Sequence, residues 1–349
     1  MKILYLYAEV MGYTMATIRE LAERGNEVHV VHWDYKKLTP YKPPKLTNVF
    51  LYNRSEYSAE QMQELARNLT PAVTVVSGWM DRGYTRVARQ LKLDGLPVVL
   101  GLDGHWHATL KQWLALTLGW IGYFSQYYSH VWVAGLSQFE YARRLGFEKD
   151  SILYDLYSAD LHTFNQAYNT SIERKQSHYP HRFLFVGRFE PVKGLDVLLQ
   201  VWQQLGSKKC DWELHLIGNG TLKSKFEAID NVVIKDFMQP EQLIQEVANA
   251  GCFLLPSRGE PWGVVVHEFA AAGLPLILSD VVGAASTFLI TGLNGFIFKV
   301  NDRQALASKM CQIMDMTDQE LHGMAVSSHM LSQRITPNTS ASNLVSVVD

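Results

Sequence analysis

Two short segments in the second half of the chain carry residue types suited to holding a phosphate anion. In SRGEPWGVVVHEFAAAGLPLILSD, residues 257–280, a loop with Glu260, Pro261, Trp262 and Gly263 follows the apolar run CFLLPS and leads into a helix with Glu268 on its second turn. A glycine at a helix entrance leaves the backbone N–H groups of Gly263, Val264 and Val265 free to point at an anion, and the positive end of the helix dipole adds to them. That is a site the size of a diphosphate. Glu260 and Glu268 can each accept hydrogen bonds from hydroxyl groups on opposite sides of the anion, as a sugar and a ribose flanking a diphosphate would present them. The competing reading is one capping acid and one surface acid. The tightly packing run Ala270, Ala271, Ala272 and Gly273 favours the binding role.

The second segment is FLFVGRFEPVKGLDVLLQVW, residues 183–202. The strand-like FLFVG delivers Arg188 at its carboxyl end, Lys193 follows, and Gly194 introduces the next helix. A planar guanidinium fork and a compact ammonium together can neutralise a departing diphosphate. Otherwise, one or both would form surface ion pairs with Glu190 or Asp196.

Both segments need strands and helices to aim them. KILYLYAE, NEVHVVHW, AVTVVSGW, PVVLGLDG and HVWVAG are short apolar runs separated by helix-compatible stretches such as TMATIRELAERG and DRGYTRVARQLKLDG, with Gly25 and Gly95 as stop signals. Continuous apolar strands fit a parallel sheet covered on both faces. From residue 183 the pattern restarts with FLFVG, WELHLIG, NVVIKDF, CFLLPS, PLILSD and GFIFK. At 349 residues, 47% hydrophobic and 19% charged, the chain has material for two packed domains. The reading is an N-terminal domain over 1–161, a polar linker over 162–182, a second domain over 183–330 and a C-terminal helix over 331–349. In open α/β sheets ligands sit beyond the carboxyl ends of the strands, which is where both motifs fall.

Lys+Arg 32 against Asp+Glu 34 gives a net charge of −2, which disfavours a nucleic-acid partner. Cys210, Cys252 and Cys311 lack the spacing of a disulfide framework or a zinc site and fit a reducing compartment. At the N-terminus Glu9 interrupts the apolar run, so it reads as a buried strand rather than a secretion signal. From Gln112 to Phe139 there is no Asp, Glu, Lys or Arg. This stretch reads as buried helix and strand, with contact at a membrane surface through its Trp and Tyr residues as the second reading and a transmembrane span as the third.

The segments VGRFEPVKGLDVLL and GEPWGVVVHEFAAAGLPLILSD, with LIGNG, NVVIKDFMQPEQL and ANAGCFLLPS between them in that order, resemble the nucleotide-binding half of the retaining GT-B glycosyltransferases of glycosyltransferase family four. These are sugar-nucleotide-dependent enzymes of polysaccharide and glycolipid assembly. The resemblance is strongest over residues 183–300. It implies an α/β GT-B fold of two doubly wound Rossmann-like domains facing a central cleft, with the last helix returning to the first domain. It also implies that Arg188 and Lys193 hold the donor diphosphate, that Glu260 contacts hydroxyls of the transferred sugar, and that Glu268 binds the ribose. Gly218, Asn219 and Gly220 would lie near the phosphates and nucleoside, and Phe237 and Met238 by the base. GNG is equally a plain turn.

In the first half the family's glycine-rich loop is reduced to Glu9, Val10, Met11, Gly12 and Tyr13, leaving Gly12 for a close approach to phosphate. After PVVLGL stand Asp103, Gly104 and His105, and either Asp103 or His105 faces the reacting sugar; Asp103 as a helix cap is the bland alternative. His105 and His107 have no third metal ligand, and no Asp-x-Asp pair occurs. The resemblance therefore implies a metal-independent, hexosyltransferase-type enzyme without a cofactor. It would move a sugar from a UDP- or GDP-sugar to a glycan or lipid-linked acceptor, in the cytoplasm or at the inner face of the membrane. A non-catalytic nucleotide-sugar-binding subunit is the alternative. An NAD-dependent oxidoreductase is disfavoured because no G-x-G-x-x-G turn follows the first strand.

Overall fold

The computed structural model describes residues 1–35, 40–209, 211–226, 229 and 232–348. Short apolar strands, buried along their length at the centre of each sheet, alternate with helices, and the chain divides into two units. One comprises Met1–Ser158 and the chain from Ile335 onward; the other comprises Ala159–Arg334.

The first unit runs β1 (Lys2–Tyr7), α1 (Gly12–Glu23), β2 (Glu27–His32), β3 (Val49–Asn53), α2 (Ala59–Leu69), β4 (Val73–Val76), α3 (Arg82–Leu93), β5 (Val98–Leu102), α4 (Leu110–Trp120), β6 (His130–Val133), α5 (Leu136–Arg144) and β7 (Ile152–Leu153). Among the described residues its strands form one parallel sheet in the order β3-β2-β1-β4-β5-β6-β7. Ile3, Val30, Val75, Val99 and Val131 are completely inaccessible on the central strands, each worth roughly 1.5–3 kcal/mol on burial.

The second unit runs α6 (Leu161–Ser177), β8 (Arg182–Val186), α7 (Leu195–Leu205), β9 (Glu213–Ile217), β10 (Val232–Lys235), α8 (Pro240–Ala248), β11 (Cys252–Leu255), α9 (Val264–Ala271), β12 (Leu276–Ser279), α10 (Ala285–Phe288), β13 (Gly295–Phe298), α11 (Arg303–Met314) and α12 (Asp318–Ser332). Its parallel sheet has the order β10-β9-β8-β11-β12-β13. In both sheets the strand order reverses beside the first strand, between β1 and β4 and between β8 and β11. These switch points open a crevice at the carboxyl ends of the flanking strands. The final helix, α13 (Pro337–Val345), belongs to the first unit, where Arg24 donates to Ser342 Oγ and to the Asn338 carbonyl.

Residues 162–182, expected as a linker, mostly form α6. Its buried positions Leu161, Thr163, Phe164, Ala167, Ser171 and Lys175 follow helical spacing. Half of them are polar, which conceals the stripe from a hydropathy reading. The second unit consequently starts at Ala159, and it continues past α12 to Arg334 rather than ending at 330. Cys252 and Cys311 are free thiols, and Cys210 lies outside the described residues.

Candidate active site

Strands β8 and β11 bring the two motif loops side by side at the switch point of the second sheet. After β8 the chain passes Gly187, Arg188, Phe189 and Glu190 before a short turn over Pro191–Lys193, and Gly194 admits α7. Gly194 has φ +69°, and a Cβ there would lie 2.0 Å from the Pro256 carbonyl oxygen, so the loop after β11 packs directly on it. The Arg258 amide donates to the Val192 carbonyl at 2.7 Å and closes the two loops together.

Lys193 Nζ donates to Glu260 Oε2, and both side chains are largely buried. Ser257 Oγ donates to the same carboxylate oxygen at 3.3 Å. A residue expected at the diphosphate and one expected at the transferred sugar thus meet each other across 67 positions of sequence. The competing surface ion pairs do not form. Glu190 accepts from the Thr221 hydroxyl and amide, and Asp196 takes a bidentate pair from Arg258 at 2.7 Å for both bonds. Arg188 is half-buried and makes no hydrogen bond or ion pair among the described residues, so its five donors stay available at the end of β8.

Arg258 escaped the sequence reading. Besides Asp196 it donates to the Pro191 carbonyl at 2.6 Å and to Asn301 Oδ1 at 2.7 Å, so it braces the loop that carries Lys193. Its place immediately before Gly259 and Glu260 was the available signal, although its partners are remote in sequence.

Gly263 caps α9 with φ +92°, and a Cβ there would stand 2.9 Å from Glu260 Cγ. Glycine is therefore required for the turn that sets Glu260 against Lys193 while starting the helix. No side chain caps this helix end. The first-turn amides, including those of Gly263, Val264 and Val265, keep the anion-facing capacity of a helix N-terminus.

Glu268 on α9 is half-buried. Burial, and then the Asp160 carboxylate, push its carboxyl up to about 7. Its neighbour His267 is fully buried, with Nδ1 accepting from the Ala159 amide at 3.0 Å and Nε2 donating to the Ser332 carbonyl at 2.8 Å.

The GNG segment joins the same loop cluster. The Phe189 amide donates to the Asn219 carbonyl at 2.7 Å, and the Leu222 amide to the Phe189 carbonyl at 2.9 Å. A Cβ at Gly218 would sit 1.9 Å from the Gly187 carbonyl oxygen. Close approach of two strand-end loops thus accounts for that glycine. Phe237 and Met238 follow edge strand β10 and are half-buried.

Gly12, Asp103 and His105 belong to the first unit. Gly12 opens α1 directly after the turn following β1. Asp103 follows β5 and is exposed. Its Oδ2 accepts from the Tyr157 hydroxyl at 3.1 Å, and its carbonyl accepts from Gln138 at 3.0 Å. Helix α4 is capped by Thr109, which forms a reciprocal capping box with Gln112, so Asp103 is not its cap. Tyr157 packs edge-on against Tyr13 with ring centroids 4.8 Å apart. Burial first, and then the nearby Asp103 carboxylate, hold the Tyr7 hydroxyl above its ordinary range. This tyrosine cluster around Asp103 was not legible in the sequence, because its members come from three separate segments. His105 has its ring 4.0 Å from that of His107; burial, followed by His107, lowers its pKa. Among the described residues no group of three or more His, Cys, Asp or Glu is arranged to hold a metal ion.

Residues 180–316 match the family described as glycosyl transferases group 1. An uncharacterized glycosyltransferase of Methanocaldococcus jannaschii is 32% identical over 141 residues, 38% of each chain. The capsular polysaccharide biosynthesis glycosyltransferase CapM of Staphylococcus aureus is 30% identical over 140 residues, 38% of this chain and 36% of that protein. These matches span a little over a third of the relatives' length. Among solved structures, the sucrose-phosphate synthase of Thermosynechococcus elongatus superposes with a TM-score of 0.73 at 16% identity, covering 96% of this chain and 94% of that one. The Anabaena protein HepE in complex with UDP-glucose does so with a TM-score of 0.73 at 15% identity, covering 99% of each chain. The fold class is therefore α/β of the GT-B type, built of two parallel-sheet Rossmann-like units.

Proposed function

We propose that the protein is a retaining glycosyltransferase. It would move a sugar from a nucleotide-diphosphate sugar to a glycan or lipid-linked acceptor in polysaccharide or glycolipid synthesis. The observation that carries this reading is the constellation at the β8–β11 switch point: the Lys193–Glu260 pair, the unengaged Arg188 and the uncapped entrance of α9. HepE, a structural neighbour, has been captured with UDP and with UDP-glucose, and starch synthase IV of Arabidopsis thaliana with ADP. A UDP-, ADP- or GDP-linked sugar is the class of donor the β8–β11 constellation suits.

Sugar transfer breaks the bond between the anomeric carbon and the diphosphate oxygen and forms one to the acceptor oxygen, whose proton leaves with the released diphosphate. Retention requires the acceptor to arrive on the face that the diphosphate leaves. Negative charge grows on the diphosphate, and fixed donors aimed at it lower the barrier without reorganisation. Arg188, Lys193 and the α9 amides supply such donors, so the charge demand is met without a metal. When a donor arrives, Lys193 turns from Glu260 toward phosphate, and the released Glu260 carboxylate accepts hydroxyls of the transferred sugar. Glu268 accepts the ribose hydroxyls. Gly218, Asn219 and Gly220 lie along the nucleoside side, with Phe237 and Met238 near the base. In the first unit the candidates are Gly12 for a phosphate group, and Asp103, held by Tyr157, or His105 for the reacting sugar.

Lys193→Ala and Glu260→Ala test this assignment. Each is expected to reduce acceptor-dependent release of nucleoside diphosphate by at least 100-fold in a protein that still melts cooperatively. Near-wild-type turnover in either variant overturns the donor placement. Tight donor binding by the wild type without turnover over a broad acceptor panel would restore the non-catalytic reading.

One further observation favours a peripheral place at a membrane. Helix α4 exposes Leu110, Trp113, Leu114 and Trp120, with Ile121 following, along one face. No helix among the described residues is long and apolar enough to cross a bilayer, so this face suits contact with a bilayer surface.

A further inference from the structure

Helix α9 carries more than the donor groups. The chain leaves the first unit between Ser158 and Ala159 and re-enters it between Arg334 and Ile335. His267, next to Glu268, binds close to both crossings: its Nδ1 accepts the amide of Ala159, the first residue of the unit, and its Nε2 donates to the carbonyl of Ser332, near the last. A backbone N–H on one nitrogen and a backbone carbonyl on the other assign a neutral ring protonated at Nε2. The ring stacks on Phe288 at 4.2 Å with an interplanar angle of 16° and is completely buried.

Neighbouring contacts reinforce both attachments. Asp160, which acts on the Glu268 carboxyl, accepts from Thr163 Oγ1 at 3.1 Å and so orders the residues just after the first crossing. Near the second, His329 bonds the Ala271 carbonyl at 2.7 Å and stacks on Tyr168 at 3.7 Å. Gln333 donates to Asn165 at 3.4 Å. A buried histidine needs two partners in any core. Nothing in that need selects residues at opposite ends of the unit's chain, both beside its exits.

We propose that His267 is a positioning residue that fastens both chain crossings to the helix bearing the donor groups. Displacement of α9 by a bound donor is thereby transmitted to the two segments that join the units. The functional half of this statement rests on the donor reading above; the clamp itself does not.

The clamp is tested on the full chain by single-molecule energy transfer between fluorophores placed at the exposed positions Asn68 and Gln304, first without ligand. His267→Leu removes both bonds. His267→Asn keeps an acceptor toward Ala159, and His267→Gln keeps a donor toward Ser332. The expected result is a distance distribution at least twofold broader in His267→Leu than in the wild type, with the other two variants in between. Phe288→Leu loosens the packing of the ring without removing either bond, and is expected to lower the melting temperature with no change in width.

Equal widths in the wild type and His267→Leu overturn the proposal. So does equal broadening in Phe288→Leu, which would make the effect one of general packing. If His267→Leu does not fold, the Asn and Gln variants decide: wild-type widths in both overturn the clamp. UDP-glucose is then added. Narrowing in the wild type that is absent from a folded His267 variant of unchanged donor affinity supports transmission, and equal narrowing in both overturns it. Failure of UDP-, ADP- and GDP-sugars to bind the wild type at all would sink the donor reading, while the ligand-free widths still judge the clamp.

Discussion

Glu268 is the residue whose chemistry is most exposed to measurement. Its folded carboxyl is raised to about 7 by burial and then by Asp160, so between the ordinary carboxyl range and pH 7 the folded state holds a proton that the unfolded state has lost. Stability contributed by this group is complete at low pH and is lost as pH rises through 7. At ~1.4 kcal/mol per pKa unit, the ionised form costs on the order of 3 kcal/mol, less what solvent screens at this half-buried side chain. Glu268→Gln should therefore melt above the wild type, with a gap that widens from pH 5 to pH 8. Donor affinity should respond oppositely, because ribose hydroxyls are best accepted by the carboxylate. In the wild type it rises through pH 7, and in the variant it is weak and flat. Parallel melting curves across that range would refute the raised Glu268 carboxyl. The candidate-site residues of the second unit stand out in the sequence because strand-end motifs hold them in short order. Arg258, Asp160 and Tyr157 were not, since each acts through partners remote in sequence.

At the scale of elements, the turn into α9 ties fold and site together. Gly263→Ala forces a residue with a side chain into φ +92° and drives its Cβ against Glu260 Cγ. The expected cost is about 1–3 kcal/mol of stability and a larger loss in transfer, because Glu260 moves away from Lys193. Gly25→Ala is the control: φ is +82° but nothing lies within 4 Å of the new Cβ. Melting temperature should fall there too, with kcat/KM unchanged. Equal losses of activity in the two variants would mean that the turn has no special tie to the site. The same contrast explains which elements were legible. Central strands such as β4 and β11 are buried along their whole length and announce themselves as apolar runs. Edge strand β3 is only partly covered, and β7 has two residues, too little pattern to read. Helix α6 buries Thr163, Ser171 and the whole of Lys175 beside its apolar residues, and so read as linker.

For the whole molecule the net charge of −2 hid a local asymmetry that bears on where the protein works. Arg82, Arg86, Arg89 and Lys92 recur at helical spacing on α3, and no acid lies among them. The Arg89 guanidinium acts electrostatically on Tyr123, which follows the exposed apolar face of α4. Trp79, partly exposed, packs its ring 5.1 Å from that of the buried Phe124. Cations bordering exposed Trp, Leu and Ile suit an anionic bilayer, where each basic residue contributes about 1 kcal/mol near the surface. The full chain should cosediment with vesicles of phosphatidylcholine and phosphatidylglycerol and leave them as salt rises. Arg82→Gln, Arg86→Gln and Arg89→Gln combined should weaken the partition by 10- to 100-fold at low salt, the lower figure allowing for the exposed Arg86–Glu60 pair. Serine at Trp113, Leu114, Trp120 and Ile121 together should abolish binding at any salt, because the apolar anchor is gone. If the chain instead forms a lipid-free dimer that the serine variant dissociates, the α4 face meets another copy and the membrane reading fails. Indifference to vesicles at low salt, with the chain monomeric, would count equally against it.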